Sequence, residues 1–284
     1  MIDIIIPCYN SHNTLKNTLN SIINQSIKDK IKVYLVDDCS DKNYNLFVEQ
    51  YSKYINIKEI RTKENGGAGL AREFGIQNSN SKYIMFVDSD DLLFSYRAAE
   101  SLYNEIEKGF DYVNSIEYDE KRRKNLILNG NVHGKIFRRE YLEKNDIHFN
   151  STRYHEDNYF TNFVVLSGAK KSLIRECTYF YTFNKDSITN ESEEFDRLEI
   201  YFQNMRDLIN IITQKEYSKV RFARYKREKY RYLRRIYKTF SDEEKAIFRK
   251  WIEEYDKDFM QFIDLPERAF VCSLIDYLNS IINS

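Results

Sequence analysis

The sequence predicts an α/β fold with a parallel sheet, followed by a mainly helical C-terminal region. Three observations carry this reading. Short β-branched runs alternate with segments of helical periodicity from Ile2 to Val87. The connections between those runs are too long for hairpins, so they read as crossovers. From about Phe195 onward almost only helical periodicity remains.

Each element follows from local pattern. Ile2–Pro7 is an apolar run closed by a proline and reads as a buried strand. Leu15, Leu19, Ile22 and Ile23 then recur at helical spacing, with Ser11 or Asn13 as N-cap. Ile31–Val36 reads as a second buried strand, ending in Asp37-Asp38. A polar-faced helix is expected from Lys42 to Lys53 and a strand at Ile57–Ile60. Gly66 to Asn78 reads as a loop entering a helix, and Tyr83–Val87 as the fourth strand. Beyond it the pattern loosens into a mixed region, with a helix over Ser95–Lys108 and strands at Asp111–Glu117, Leu126–Leu128 and Thr178–Phe183. A boundary between 190 and 195 divides the chain into an α/β part, 1–192, and a helical part, 193–284.

Composition limits the function classes. The 284 residues leave room for one large domain or a domain with a sizeable appendage. Lys and Arg number 44 and Asp and Glu 44, so the molecule as a whole carries no bias toward nucleic acid or anionic lipid. Met1–Asn10 has no basic n-region, which argues against a signal peptide, and no run approaches the ~20 apolar residues of a membrane span. Cys8, Cys39, Cys177 and Cys272 are scattered without a CxxC pair. The expectation is no disulfide or zinc framework and a reducing, cytoplasmic setting.

In an open parallel sheet, ligands bind beyond the carboxyl ends of the strands. Pro7, Cys8, Tyr9 and Asn10 follow the first strand, Asp37-Asp38 the second, and Asp88-Ser89-Asp90-Asp91 the fourth. Carboxylates beside a nucleoside diphosphate make sense only with a divalent cation between them, and hard oxygen ligands suit Mg²⁺ or Mn²⁺. Asp88 and Asp90 are the metal candidates. Asp38, an acceptor only, suits the N3–H of uracil or thymine, and Tyr9 could stack on the base. Either aspartate of the Asp37-Asp38 pair could instead cap the following helix. Glycine is scarce, 8 in all, yet Gly66, Gly67, Gly69 and Gly75 cluster at a helix start. There they permit close backbone approach and offer N–H groups to an anion, with Arg72 one turn in. The spacing fits neither a dinucleotide fingerprint nor a P-loop. His155-Glu156-Asp157 precedes an apolar helical stretch and by itself reads as an acidic first turn.

Taken in order, IIIPCYN, VYLVDDCSD, NGGAGLAREFGI, YIMFVDSDD, HGKIFRREYL and HEDNYF resemble family 2 glycosyltransferases of the GT-A fold, over roughly residues 1–185. The resemblance implies an open mixed sheet flanked by helices, with a nucleotide-binding half, 1–91, and an acceptor half, 92–192. It also implies an inverting, metal-dependent sugar transfer from a nucleoside-diphosphate donor. On that resemblance Asp38 reads the base, Tyr9 stacks on it, and Pro7, Asn10, Gly67, Arg72, Asp88 and Ser89 line the nucleotide. Asp90 is the more direct metal ligand, and Asp157 is the catalytic base. Asp91, His133, Lys135 and Glu156 contact donor sugar or acceptor. The chain departs from many relatives in carrying His133-Gly134 where they have Trp-Asn before the lysine. Asp38 favours UDP or dTDP, while the N1–H of guanine keeps GDP open.

Residues 221–240 hold nine Lys or Arg against one Glu. Phe222, Lys226, Tyr230, Leu233 and Tyr237 fall on one stripe of a helix there. Three uses stay open: packing against the rest of the chain, a peripheral membrane surface that presents a lipid-linked acceptor, and contact with nucleic acid. The acceptor reading is a hydroxyl of a glycan, polysaccharide or lipid-linked acceptor. The alternatives are hydroxylated bases of DNA, or a nucleotide-sugar-binding protein without turnover. The sequence does not fix an oligomeric state.

Overall fold

The computed structural model describes residues 1–127, 130–184, 195, 197–215 and 218–283. The chain divides into two compact units, Met1–Val164 with Ala169–Ser187, and Val165–Gly168 with Ile188–Ser284. The boundary expected near 192 lies outside the described residues.

The first unit runs β1 (Ile2–Cys8), α1 (Leu15–Ile23), β2 (Ile31–Asp37), α2 (Asn45–Tyr51), β3 (Asn56–Arg61), α3 (Ala68–Gln77) and β4 (Tyr83–Phe86). It continues with β5 (Leu92–Leu93), α4 (Ala98–Ile106), β6 (Tyr112–Asp119), β7 (Lys124–Leu126), β8 (Lys135–Arg138), α5 (Arg139–Lys144), α6 (Glu156–Leu166, its end in the second unit) and β9 (Lys171–Tyr181). These strands form one nine-stranded sheet in the order β3-β2-β1-β4-β8-β6-β9-β5, with β7 on β6. Strands β1 to β4 pair in parallel, as the long crossovers require, whereas β8 is antiparallel to both β4 and β6. The sheet is therefore mixed. Ile2, Ile4, Ile6, Val33 and Leu35 are buried beside Leu15, Leu19 and Ile22 of α1, because a strand covered on both faces is nearly all apolar; the exception in β1, Asp3, is buried against Arg139 at 3.2 Å.

The local reading needs four corrections. Helix α1 starts at Leu15 after Thr14, with no side-chain cap from Ser11 or Asn13; Ser11 instead offers its carbonyl to the N–H of Leu15. The helix expected over Lys42–Lys53 is the shorter α2. The last strand begins at Lys171 rather than Thr178, its exposed half alternating too weakly to be read. Strands β5 and β8 were not foreseen, the first for being two residues long. The second begins with a lysine, Lys135, that is only 1% exposed. Leu128 lies outside the described residues.

The second unit is helical: α7 (Leu198–Gln214), α8 (Lys219–Tyr237), α9 (Asp242–Tyr255), α10 (Lys257–Met260) and α11 (Glu267–Asn283). Its core is aromatic. Tyr230 lies 4.7 Å from Phe259 and 5.6 Å from Phe262, and Phe248 packs against Phe202, Tyr237 and Phe240. The stripe of α8 faces inward, with Lys226, Tyr230, Leu233 and Tyr237 buried. Lys226 donates to Asp258 at 2.8 Å and to the Tyr277 hydroxyl at 2.7 Å, and lies 3.5 Å from Asp256. Helix α9 opens with a capping box, the Ser241 hydroxyl accepting from the Glu244 N–H while Glu244 accepts from Ser241. Among the described residues no helix is long and apolar enough to cross a membrane.

Candidate active site

The parallel half of the sheet delivers its polar residues to one edge, because parallel strands all end on the same side. At the end of β1, Pro7 is buried, and the Tyr9 ring is 51% exposed at the rim. Asn10, at φ 50, exchanges hydrogen bonds with Asp41 and donates its N–H to Ser40 at 3.0 Å. At the end of β2 the two aspartates part. Asp37, wholly buried, accepts from the Ser40 N–H at 2.8 Å and pairs with Arg61.

Asp38 grips the glycine-rich turn. One oxygen accepts from Thr62 Oγ1 at 3.1 Å and from the Gly66 N–H at 3.0 Å, the other from the Gly67 N–H at 2.7 Å. The second oxygen has a lone pair to spare. Gly67 sits at φ +84 as the residue before α3, a conformation that a side chain would strain.

Arg72, one turn into α3, is the hinge of the site. One guanidinium nitrogen donates to Asp88 at 2.7 Å and another to Glu156 at 2.9 Å. The arginine is only 4% exposed, and its Nε has no partner among the described residues. Two segments 84 residues apart in sequence, the glycine-rich helix and the start of α6, are thereby held together. Gly69 makes room for this: a Cβ there would stand 2.6 Å from Cγ of Glu156.

The acidic run after β4 is tied down from two sides. Thr18 donates to the Ser89 carbonyl at 3.0 Å. Tyr179 of β9 accepts the Asp88 N–H at 3.1 Å and donates its hydroxyl to Asp91 at 2.8 Å, and Asp91 also accepts the Thr182 N–H at 2.8 Å. Asp90 accepts from Asn184 at 2.9 Å. Burial, and then the charge of Asp88, push the carboxyl groups of Asp90 and Asp91 upward, Asp91 strongly. Burial works against the Asp88 anion too, but Arg72 outweighs it and holds that group low. Glu156 is raised to about 7 by burial and by repulsion from Asp157, more than Arg72 offsets. Asp157 stands in the first turn of α6 and accepts its neighbour's N–H at 2.6 Å.

His133 and Lys135 lie below this layer. The His133 ring stacks on Tyr179 at 4.5 Å, and its Nδ1 is 2.8 Å from Glu117. Burial alone would lower its pKa, but Glu117 more than reverses that and leaves it raised. The Lys135 ammonium donates to Asn131 at 2.5 Å, and burial lowers it to about 8 despite Glu117 and Asp157. The fold thus gathers Asp88, Arg72, Glu156 and Asp157, while Tyr9 and Asn10 stay at the rim. The sequence reading missed Tyr179, Glu117, Asn131 and Asn184. Tyr179 falls inside an expected strand, where nothing local separates a hydroxyl that organises acids from one that packs.

Residues 3–165 match the family model for glycosyl transferase family 2. The chain is 31% identical over 228 residues to minor teichoic acid biosynthesis protein GgaA of Bacillus subtilis, covering 68% of this chain and 50% of that protein. It is 30% identical over 196 residues to poly(ribitol-phosphate) beta-N-acetylglucosaminyltransferase TarP of Staphylococcus aureus, covering 65% and 53%. It thus spans about half the length of these curated relatives. The crystal structure of S. aureus TarS 1-349 in complex with UDP-GlcNAc superposes with a TM-score of 0.76 at 23% identity, covering 99% of this chain and 88% of that one. That likeness extends the GT-A architecture, a mixed sheet flanked by helices with a helical C-terminal region, to this chain. With its family model spanning the whole acidic edge of the sheet, the chain belongs to glycosyl transferase family 2.

Proposed function

We propose that this chain transfers a sugar from a UDP-sugar to an acceptor hydroxyl with inversion at the anomeric carbon. The observation that carries the reading is Arg72 bridging Asp88 and Glu156, which brings the acidic run after β4 beside Asp157. Donor and base can then face one reacting carbon. Asp157 takes the proton of the acceptor hydroxyl as its oxygen attacks from the side opposite the departing diphosphate. Arg72 and the N–H groups at the start of α3 offer positive charge to that diphosphate. Asp38 keeps one lone pair for the N3–H of the base, Tyr9 is free to stack on it, and Asn10 and Ser89 complete the rim above the buried Pro7. Glu156 borders the sugar and acceptor space, with Asp91, His133 and Lys135 buried beneath it.

Asp88 and Asp90 would hold Mn²⁺ or Mg²⁺. The donor set fits: hard carboxylate oxygens crowd together, and Asp90 and Asp91 are pushed toward protonation by burial and by Asp88, a penalty that a cation relieves. Among the described residues no three His, Cys, Asp or Glu side chains form a complete cage, so diphosphate and water would supply the other ligands. Bound there, the cation would neutralise charge developing on the leaving diphosphate.

The names of the relatives, one a poly(ribitol-phosphate) glycosyltransferase and one a teichoic acid biosynthesis protein, favour a polyol-phosphate polymer within the broader class of glycan and lipid-linked acceptors. The test is nucleotide release from UDP-, dTDP- and GDP-sugars with Mn²⁺ or EDTA, in wild type, Asp157→Asn and Asp90→Ala. Metal-dependent release from a UDP-sugar, lost in both variants, is expected. Metal-dependent UDP binding without turnover on any acceptor would make the chain a binding protein. Absence of UDP binding would overturn the reading.

A further inference from the structure

Helix α8 turns its aromatic stripe inward, and what it leaves outside is a line of cations. Arg221, Arg224, Arg231, Arg235 and Lys238, the last just past the helix end, are exposed at successive spacings of three, seven, four and three residues, with Arg227 beside them. Those spacings keep side chains on one face of a helix, so the line runs about 25 Å at 1.5 Å per residue. One acid, Glu228, falls on the same face, 3.3 Å from Arg224. Glu267 lies 3.3 Å from Lys238. Arg235 lies over the Tyr232 ring at 5.7 Å, and among the described residues Arg227 and Arg231 have no carboxylate partner. The chain as a whole is neutral, so this face concentrates a charge that the remainder balances elsewhere.

We propose that this arginine face binds the phosphodiester backbone of a polyanionic, polyol-phosphate acceptor. The inference rests on the acceptor class read above and assigns that polymer a second foothold on the helical unit. Charge complementarity with a regular row of anions is the first argument. The second is residue type: five of the six cations are arginines, whose planar forks take phosphate oxygens two at a time. The third argues against a lipid surface. An interfacial helix must bury an apolar face in the bilayer, and here Tyr230, Leu233 and Tyr237 are already buried within the protein.

The test measures binding of the full chain to a synthetic polyol-phosphate oligomer over a range of salt concentrations. An uncharged polyol oligomer, phosphatidylglycerol vesicles and single-stranded DNA run alongside. Wild type is expected to bind the oligomer with steep salt dependence and to ignore the uncharged one. Arg227→Gln/Arg231→Gln/Arg235→Gln is expected to weaken binding at least tenfold with a shallower salt slope, and the corresponding triple lysine variant to recover part of it. Circular dichroism checks the fold of each variant. Oligomer binding that is absent in wild type, or unchanged in the glutamine variant, overturns the proposal. So does a loss confined to vesicles or DNA, which would assign the face to membrane or nucleic acid. UDP affinity of the wild type, measured in parallel, separates the two readings. Stripe-dependent oligomer binding in a chain that holds no UDP would sustain the arginine face and sink the transferase.

Discussion

Both units bury charge, but they settle it differently. In the helical unit each buried cation meets its acids: Lys226 faces Asp256, Asp258 and Tyr277, and Arg234 meets Glu267 and the Leu265 carbonyl. Attraction there outweighs burial and holds Lys226 above its ordinary value. At the acidic edge of the sheet unit Arg72 bonds both Asp88 and Glu156, and His133 also favours the Asp88 anion, while Asp90, Asp91 and Asp157 stand alongside. Burial raises Asp256 in the helical unit as well, but at this edge three carboxyl groups, Asp90, Asp91 and Glu156, are raised together. A balanced set of buried charges serves the fold, whereas an unbalanced one is poised for a ligand that carries the missing charge.

The contrast can be broken experimentally, the largest effect being on chemistry. Asp157→Asn is expected to slow sugar transfer about 10³-fold, within the usual worth of a general base, with UDP affinity largely kept. A loss of less than tenfold would take the base role from Asp157. In the other unit, Lys226→Met should cost about 3–5 kcal/mol in denaturant unfolding, since it strands Asp256 in the core. Recovery of part of that loss in Lys226→Met/Asp256→Asn would show that the balance matters, not the lysine itself.

Glu156 tests the surplus by pH. Its native carboxyl is raised to about 7, above the unfolded value near 4.5, so the native state holds the proton more tightly. Stability from this group is therefore full below about 4.5 and lost as pH rises toward 7. Glu156→Gln should gain on wild type over that window, by at most about 3 kcal/mol between pH 5 and 8. A melting-temperature difference that stays flat with pH would mean that Arg72 has compensated Glu156 fully. The smallest expected effect belongs to Gly69→Ala, about 1–3 kcal/mol of destabilisation, because the new methyl must push Glu156 aside.

The legible parts were those written in local pattern. Ile2–Cys8, Ile31–Asp37 and Tyr83–Phe86 announce themselves as apolar runs, and the acids that follow them mark the functional edge because parallel strands end together. Helix α8 announces its apolar stripe in the same way. Strand β8 stayed hidden because its first residue is a lysine, whose buried ammonium is received by Asn131 and the His133 carbonyl.

The sequence by itself thus determined the alternation of strand and helix, the set of acids and the arginine, and the existence of an apolar stripe on α8. Periodicity and residue type act over a few neighbours and are visible there. Only the tertiary structure decided that Arg72 would share itself between Asp88 and Glu156, that Tyr179 would join Asp88 to Asp91, and that Asp38 would clasp the glycine turn. Each of these pairs residues far apart in the chain. Their choice depends on which side chains the assembled sheet brings within hydrogen-bond reach, and no local period records that.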